Sequence, residues 1–375
     1  MISEKKNILL IDSFRTKLLK QSILKDFSYS EVNKPSLKEI LLFFFRPNAI
    51  IIFLKNIFFL KSITSALIFA HFYTVIKTIQ PKIIIGFYIV MKRRYFFHLA
   101  NEFKEIQFLA IAPSRIDDLN KFNNILPSNA KFFVHGESDS NELVSRGYKK
   151  DFIYPYGSFY SHYHSDHCND KQIKFDICIL SQYLHQWEEK NMSEERKIQI
   201  EIFNLLLKFV KDFYNENSNL KIAIAMRPQE KGEVGSMLER EYFDSKLKDI
   251  QTTYIPSNEL KGSSYQAAFN SEVIITHYST LAFELLGFRK KVLFFQPLPF
   301  KYSPIPKRLK WKILHPDYNG FKKKLSNLLT MNQFEYEESI SNDIKFFNNM
   351  ENNLIKEVRS TIKETLEKSS EKNKK

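Results

Sequence analysis

Two cysteines in 375 residues, Cys168 and Cys178, leave no material for a disulfide framework, and so sparse a set fits a reducing compartment. Equally absent is any run of about 18 uncharged apolar residues, the minimum for a membrane-spanning helix. The most apolar stretch, residues 41–70, is interrupted by Arg46, Pro47, Lys55 and Lys61. Near the start, only Ile8 to Ile11 are apolar between Lys6 and Asp12, too short a core for a secretory signal. No zinc finger, recognition helix or RNA-binding signature accompanies the net charge of +14, so nucleic acid is not the expected partner. No short internal repeat is visible. The expected location is the cytoplasm. The positive charge is left to meet anionic nucleotides and the anionic inner face of the membrane.

What is present reads as a globular protein. Hydrophobic residues make up 43% and charged residues 26%, which is not the balance of a disordered chain. The length exceeds what one compact core accommodates, so two domains are expected. Short apolar runs alternate with longer amphipathic ones, the pattern of βαβ units around parallel sheets. Strands are expected at 8–11, 83–87, 107–111, 131–134 and 152–154. A second series comes at 176–180, 221–225, 252–255, 273–276 and 291–295. Helices are expected at 194–214, 263–269 and 281–288. A polar stretch separates the two series and sets a boundary near residue 170. The expected architecture is two doubly wound α/β domains, 1–170 and 171–350, facing a cleft; residues 351–375 form a helix with a frayed basic tail. Residues 41–70 admit two readings. They are buried helices of the first domain, or an aromatic and basic surface, Phe43 to Phe45 included, resting on the membrane.

Ligands in such sheets bind beyond the carboxyl ends of the strands. There the strand at 273–276 runs into His277, Tyr278, Ser279 and Thr280. Ser279 or Thr280 caps the next helix, whose first amides offer an anion site for a nucleotide phosphate. His277 is a further candidate for offsetting phosphate charge. Glu284 stands roughly one turn deeper, placed to accept from ribose hydroxyls. The strand at 221–225 ends in Met226, Arg227 and Pro228; proline stops it and leaves a guanidinium suited to two-point phosphate contact. Ser181 and Gln182 end the strand at 176–180, and Gly157 and Ser158 come after the last strand of the first domain. For those four, turn chemistry is the plainer account.

The run FDICILSQY, the long helix after it, the strand ending in RPQE and the segment HYSTLAFELLGFRKKVLFF together resemble the carboxyl-terminal half of GT-B glycosyltransferases. The nearest likeness is to bacterial surface-carbohydrate proteins related to capsule and lipopolysaccharide sugar transferases. LLIDSFRTKLL, IQPKIIIGF, IQFLAIAPSRID, FFVHG and IYPYGS agree with the first half in order, so the resemblance covers about residues 7–300. It implies a CMP- or nucleoside diphosphate-linked sugar donor, and a glycan or lipid-linked glycan acceptor. It also implies metal independence, with no cofactor. In related sialyl- and Kdo-type transferases a His–Pro pair and a Ser–Ser or Ser–Thr pair hold the nucleotide. Ser279–Thr280 matches the second pair, whereas Arg227–Pro228 stands where the first would be. For the base that deprotonates the acceptor, the candidates are Asp12 first, as the residue at a strand end, then Asp117 and Glu137, all in the first domain; for any one of them a solvated carboxylate is the plainer account.

Two enzymatic alternatives remain open. A nucleotide-sugar epimerase shares the two-domain plan. His162, His164, Asp166 and His167 spell H-x-H-x-D-H, similar to the metal motif of metallo-β-lactamase-like hydrolases. The glycine pair usual after that motif is replaced by Cys168, Asn169 and Asp170. The chain also opens with βα units rather than an antiparallel sheet. A non-catalytic membrane scaffold is the third alternative.

Overall fold

The computed structural model describes residues 6–11, 16–33, 47–60, 62–87, 94–113, 129–165, 172–184, 192–228, 232–258, 260–299 and 305–372. The chain divides into two units. One comprises Met1–Tyr163 together with Glu351–Lys375, the other His164–Met350.

In the first unit the strands are β1 (Ile8–Ile11), β2 (Tyr29–Val32), β3 (Ile83–Phe87), β4 (Gln107–Ile111), β5 (Ala130–Val134) and β6 (Ile153–Pro155). They form one parallel sheet in the order β2-β1-β3-β4-β5-β6. The helices are α1 (Lys17–Ser22), α2 (Pro47–Leu60), α3 (Ile63–Ile79), α4 (Arg94–Glu102), α5 (Glu137–Ser145) and α6 (Phe159–Ser165). β1 and β3 are buried along their whole length, because a parallel sheet is covered on both faces. The period of two sorts their side chains. Leu9, Ile11, Ile84, Phe108 and Phe132 enter one core, shared with Phe69 of α3 and Phe96 of α4. Ile8, Leu10, Ile83, Ile85, Leu109 and Phe133 alternate with them and enter the core on the other face.

In the second unit the strands are β7 (Phe175–Leu180), β8 (Ile222–Ala225), β9 (Thr252–Ile255), β10 (Ser271–Thr276), β11 (Lys291–Phe295) and β12 (Lys312–Ile313). The helices are α7 (Glu194–Glu216), α8 (Gly232–Lys246), α9 (Ser263–Phe269), α10 (Thr280–Gly287), α11 (Tyr318–Thr330) and α12 (Gln333–Phe347). The parallel sheet runs β12-β11-β10-β7-β8-β9. Counted within the unit from the β9 edge, this is the order 3-2-1-4-5-6, so the winding reverses between β7 and β10. α7 shows why its sequence is helical. Ser193 caps it, the hydroxyl accepting from Arg196 N at 3.4 Å. Ile202, Phe203, Leu206, Leu207, Val210 and Phe213 then recur on one buried stripe with helical spacing.

Two expectations about boundaries change. The boundary near residue 170 falls among residues outside the described set, and the units divide between Tyr163 and His164. The helix expected within 351–375 is present, but it belongs to the first unit rather than standing apart. α13 (Leu354–Lys372) runs almost to the chain end, and Leu354, Val358 and Ile362 complete the core on one face of the first sheet. Their spacing of four puts them on one stripe. Arg359 donates to the carbonyl oxygens of Ser22 and Ile23 at 2.9 and 3.1 Å and pairs with Asp26, so it closes the end of α1. Every registered strand pair is parallel. The antiparallel core expected of a metallo-β-lactamase-like hydrolase is therefore not the fold of the described residues.

Candidate functional site

The reversal between β7 and β10 is where an open parallel sheet takes its ligand. In the second unit it brings together the segments that leave three neighbouring strands: Ser181 and Gln182 after β7, Arg227 after β8, and His277 to Thr280 after β10. The registers Ile275 with Ile179 and Leu180 with Ala225 set these ends level.

Tyr278 is the focus of the group. Its hydroxyl accepts from Gln199 Nε2 at 2.5 Å and bonds the Arg227 side chain. Burial pushes the phenol upward, and the positive charges of Arg227 and Arg196 pull against it. Two guanidinium groups from two elements thus bear on one point beyond the sheet. Arg227 is held from behind: its backbone N–H donates at 3.0 Å to Oε1 of Glu239, a fully buried carboxylate on α8. Pro228 is exposed, and the pairing of β8 has ended at Ala225 before it.

His277 is fully buried, with Nδ1 3.0 Å from the carbonyl oxygen of Phe295. That contact makes Nδ1 the donor. Burial pushes the imidazole down to about 4, against the opposing pull of that hydrogen bond. The ring is neutral near pH 7. His277 remains a candidate neighbour of a phosphate, and would act there as a neutral ring held by the Phe295 carbonyl.

Ser279 is the N-cap of α10, but its hydroxyl makes no capping bond; its N–H donates to Thr276 Oγ1 at 3.4 Å. Ser279 and Thr280 are both half-buried. Glu284 is 3% exposed, and its carboxylate accepts from the Tyr265 hydroxyl. A ribose at Glu284 would have to share or displace that hydroxyl. α10 itself is fixed by Asn348, whose Nδ2 donates to the Glu284 carbonyl oxygen at 2.8 Å. Gly287 allows the close approach, since a Cβ there would lie 2.6 Å from the Asn348 carbonyl oxygen. Ser181 and Gln182 are engaged locally. The Ser181 hydroxyl accepts from Tyr183 N at 3.2 Å, and Gln182 Nε2 donates to the Ser181 carbonyl at 3.0 Å.

Of the remaining sequence candidates, Gly157, Ser158 and Glu137 belong to the first unit. Gly157 takes φ 88°, a left-handed conformation natural to glycine, and donates to the His135 carbonyl at 3.0 Å. The Ser158 hydroxyl accepts from Ser161 N at 3.4 Å, at the start of α6. Glu137 is exposed at the start of α5, just beyond the carboxyl end of β5. Asp12 and Asp117 lie outside the described residues, as do Phe43 to Phe45. In the histidine-rich run, Asp166 and His167 are likewise outside. The His162 ring bonds the Tyr156 carbonyl at 2.7 Å, and the His164 ring lies 4.7 Å from that of Tyr265. Among the described residues no three His, Cys, Asp or Glu side chains converge as metal ligands.

Sequence reasoning missed Arg196, Gln199, Glu239 and Tyr265. One signal was readable. Gln199 is the polar member of the apolar stripe on α7, and a buried amide needs a partner.

A family model described as "putative O-antigen biosynthesis protein" matches residues 131–311. No curated protein matches the sequence. Among solved structures, the chain is similar to a UDP-GlcNAc 2-epimerase from Neisseria meningitidis bound to UDP-GlcNAc. That likeness has TM-score 0.54 and 14% identity, covering 96% of this chain and 99% of that one. It is also similar to S. aureus MnaA in complex with UDP, with TM-score 0.53, 15% identity and 94% of both chains covered. A variant of the wall teichoic acid polymerase TagF gives TM-score 0.52 and 13% identity, covering 97% of this chain and 90% of that one. The fold is thus GT-B-like, and over residues 131–311 the sequence resembles a family described as O-antigen biosynthesis proteins.

Proposed function

We propose that the chain is a glycosyltransferase that moves a sugar from a nucleotide-linked donor to a growing cell-surface glycan or lipid-linked glycan. The observation that carries the reading is the convergence of Arg227 and Arg196 on Tyr278 at the reversal point of the second sheet. Cleaving a sugar–phosphate bond leaves negative charge on the nucleotide, and fixed cations stabilise it as it develops. Arg227 and Arg196 supply those cations, and the first amides of α10, beyond Ser279, add donors. Glu284 takes the ribose, sharing it with Tyr265. Deprotonation of the acceptor hydroxyl falls to Asp12, Asp117 or Glu137. The guanidinium groups take the part that a divalent cation would otherwise play, so the reaction is expected to run without one.

A second reading is favoured by the resemblance in fold to UDP-GlcNAc 2-epimerases. The same phosphate site would serve an enzyme that inverts one carbon of the sugar and returns the nucleotide-sugar intact.

Thermal unfolding with a panel of nucleotides tests what the readings share, since a ligand binding only the folded state raises the midpoint. Stabilisation by UDP or CMP is expected; indifference to every nucleotide contradicts both. Incubation with the stabilising nucleotide's sugar conjugates then separates them. A new epimer formed without acceptor selects the epimerase. An unchanged donor that turns over only with a glycan acceptor selects the transferase.

A further inference from the structure

The solvent face of α2 is composed unlike that of the long helix α7. On α7 the exposed positions are Ser193 at the cap, Glu194, Lys197, Glu201, Lys208, Asn215 and Glu216, the polar face a soluble helix presents. On α2 the exposed positions among the described side chains are Pro47, Asn48, Ile51, Leu54 and Lys55. Ile51 is 50% and Leu54 56% exposed, and Ile63 at the start of α3 is 63% exposed. The opposite side of α2 is occupied: Ala49 and Leu60 are buried, and Ile52, Phe53 and Ile57 lean on the cores beneath. The apolar outer face is therefore surplus to folding.

Charge accompanies it. From Ile40 to Asn101 the sequence contains eight lysine and arginine residues and not one aspartate or glutamate. Lys55 stands on the exposed face itself, and Arg46 and Lys61 flank the helix in sequence. An apolar ridge that carries Lys55, in a stretch of sequence free of aspartate and glutamate, matches an anionic lipid surface. A protein partner of mixed charge has no such need for a carboxylate-free stretch of sequence. No helix among the described residues is long and apolar enough to cross a membrane. We infer that α2 and the start of α3 form a shallow membrane-docking surface. Ile51, Leu54 and Ile63 insert at the headgroup boundary while Lys55 holds anionic headgroups. The inference does not depend on the chemistry of the second unit.

Co-sedimentation of the full chain with lipid vesicles tests it. The expected result is binding to mixed phosphatidylcholine–phosphatidylglycerol vesicles and none to phosphatidylcholine alone. Salt should weaken the binding through screening. The double variant Ile51→Ser, Leu54→Ser should bind at least about tenfold more weakly, the loss expected from two partly inserted side chains. Lys55→Glu should also weaken it, by about fivefold or more. Both variants alter exposed positions, so their far-ultraviolet spectrum and nucleotide-induced stabilisation should match the parent. Failure of the parent to bind, or undiminished binding by the double variant, overturns the proposal. So does a double variant that changes only the oligomeric state, which would make the ridge a contact between copies. Absence of nucleotide stabilisation would count against the transferase and leave the membrane result standing.

Discussion

At neutral pH the His277 ring carries no charge, and this has a measurable consequence. Its folded value of about 4 lies below the ordinary value near 6.5. Between those two values the unfolded chain binds a proton that the folded chain refuses. Stability contributed by the neutral ring is present above about pH 6.5 and is lost as pH falls toward 4. Denaturant midpoints measured from pH 7 to pH 4 should fall, with about 3 kcal/mol of the loss from this residue. His277→Asn keeps a donor for the Phe295 carbonyl and should flatten that part of the slope; an unchanged slope would clear His277 of any part in it. Residue-scale function was only partly legible in the sequence. Arg227 and Ser279 follow from strand-end and capping rules. The meeting of Arg196, Gln199 and Tyr278 does not, because it depends on how α7 packs near the end of β10. Glu284 was legible as a site candidate, but the Tyr265 hydroxyl that occupies its carboxylate comes from a helix that sequence spacing does not connect to it.

Among the elements, the fully buried strands were the easiest to read. β1, β3, β8 and, after Lys291, β11 are uninterrupted apolar runs because both faces of a parallel sheet are covered. β2 and β12 were not recognised. β2 is a half-exposed edge strand, YSEV, and β12 is two residues long, so neither carries the signal of a buried run. α13 was expected as a helix with a fraying basic end; what its spacing did not show is where Leu354, Val358 and Ile362 are buried, in the core of the first sheet. Leu354→Ala should cost about 2–5 kcal/mol, as for other fully buried leucines. Urea unfolding would show it, and a cost near zero would mean that α13 does not hold the first sheet. Gly287→Ala presents a different failure. The added Cβ meets the backbone oxygen of Asn348, so α10 or the 348 segment must shift. A loss of about 1–3 kcal/mol in the same urea experiment is expected, as for other overpacked positions. Nucleotide affinity should fall with it, because α10 carries Glu284 and begins at Ser279.

At the scale of the molecule, two six-stranded parallel sheets account for the alternation seen along the chain. That pattern was legible because βαβ units repeat their period twice over. The return of residues 351–375 to the first unit was not, since nothing local distinguishes a helix that docks on its own unit from one that docks elsewhere. The positive charge also finds two places at this scale: the guanidinium pair of the second unit and, in the first, the stretch from Ile40 to Asn101, which has eight lysine and arginine residues and no aspartate or glutamate. Central to the proposed function is a nucleotide phosphate site at the reversal point of the second sheet, built on Arg227 and Tyr278. Isothermal titration of the parent and of Arg227→Ala with UDP and CMP tests it most directly. The parent should bind one of these nucleotides, and the variant should lose at least about tenfold in affinity, the weight of a charge-assisted hydrogen bond. Its unfolding midpoint without ligand should be little changed. Equal affinity in the two proteins, or no binding by a folded parent, would contradict the phosphate site.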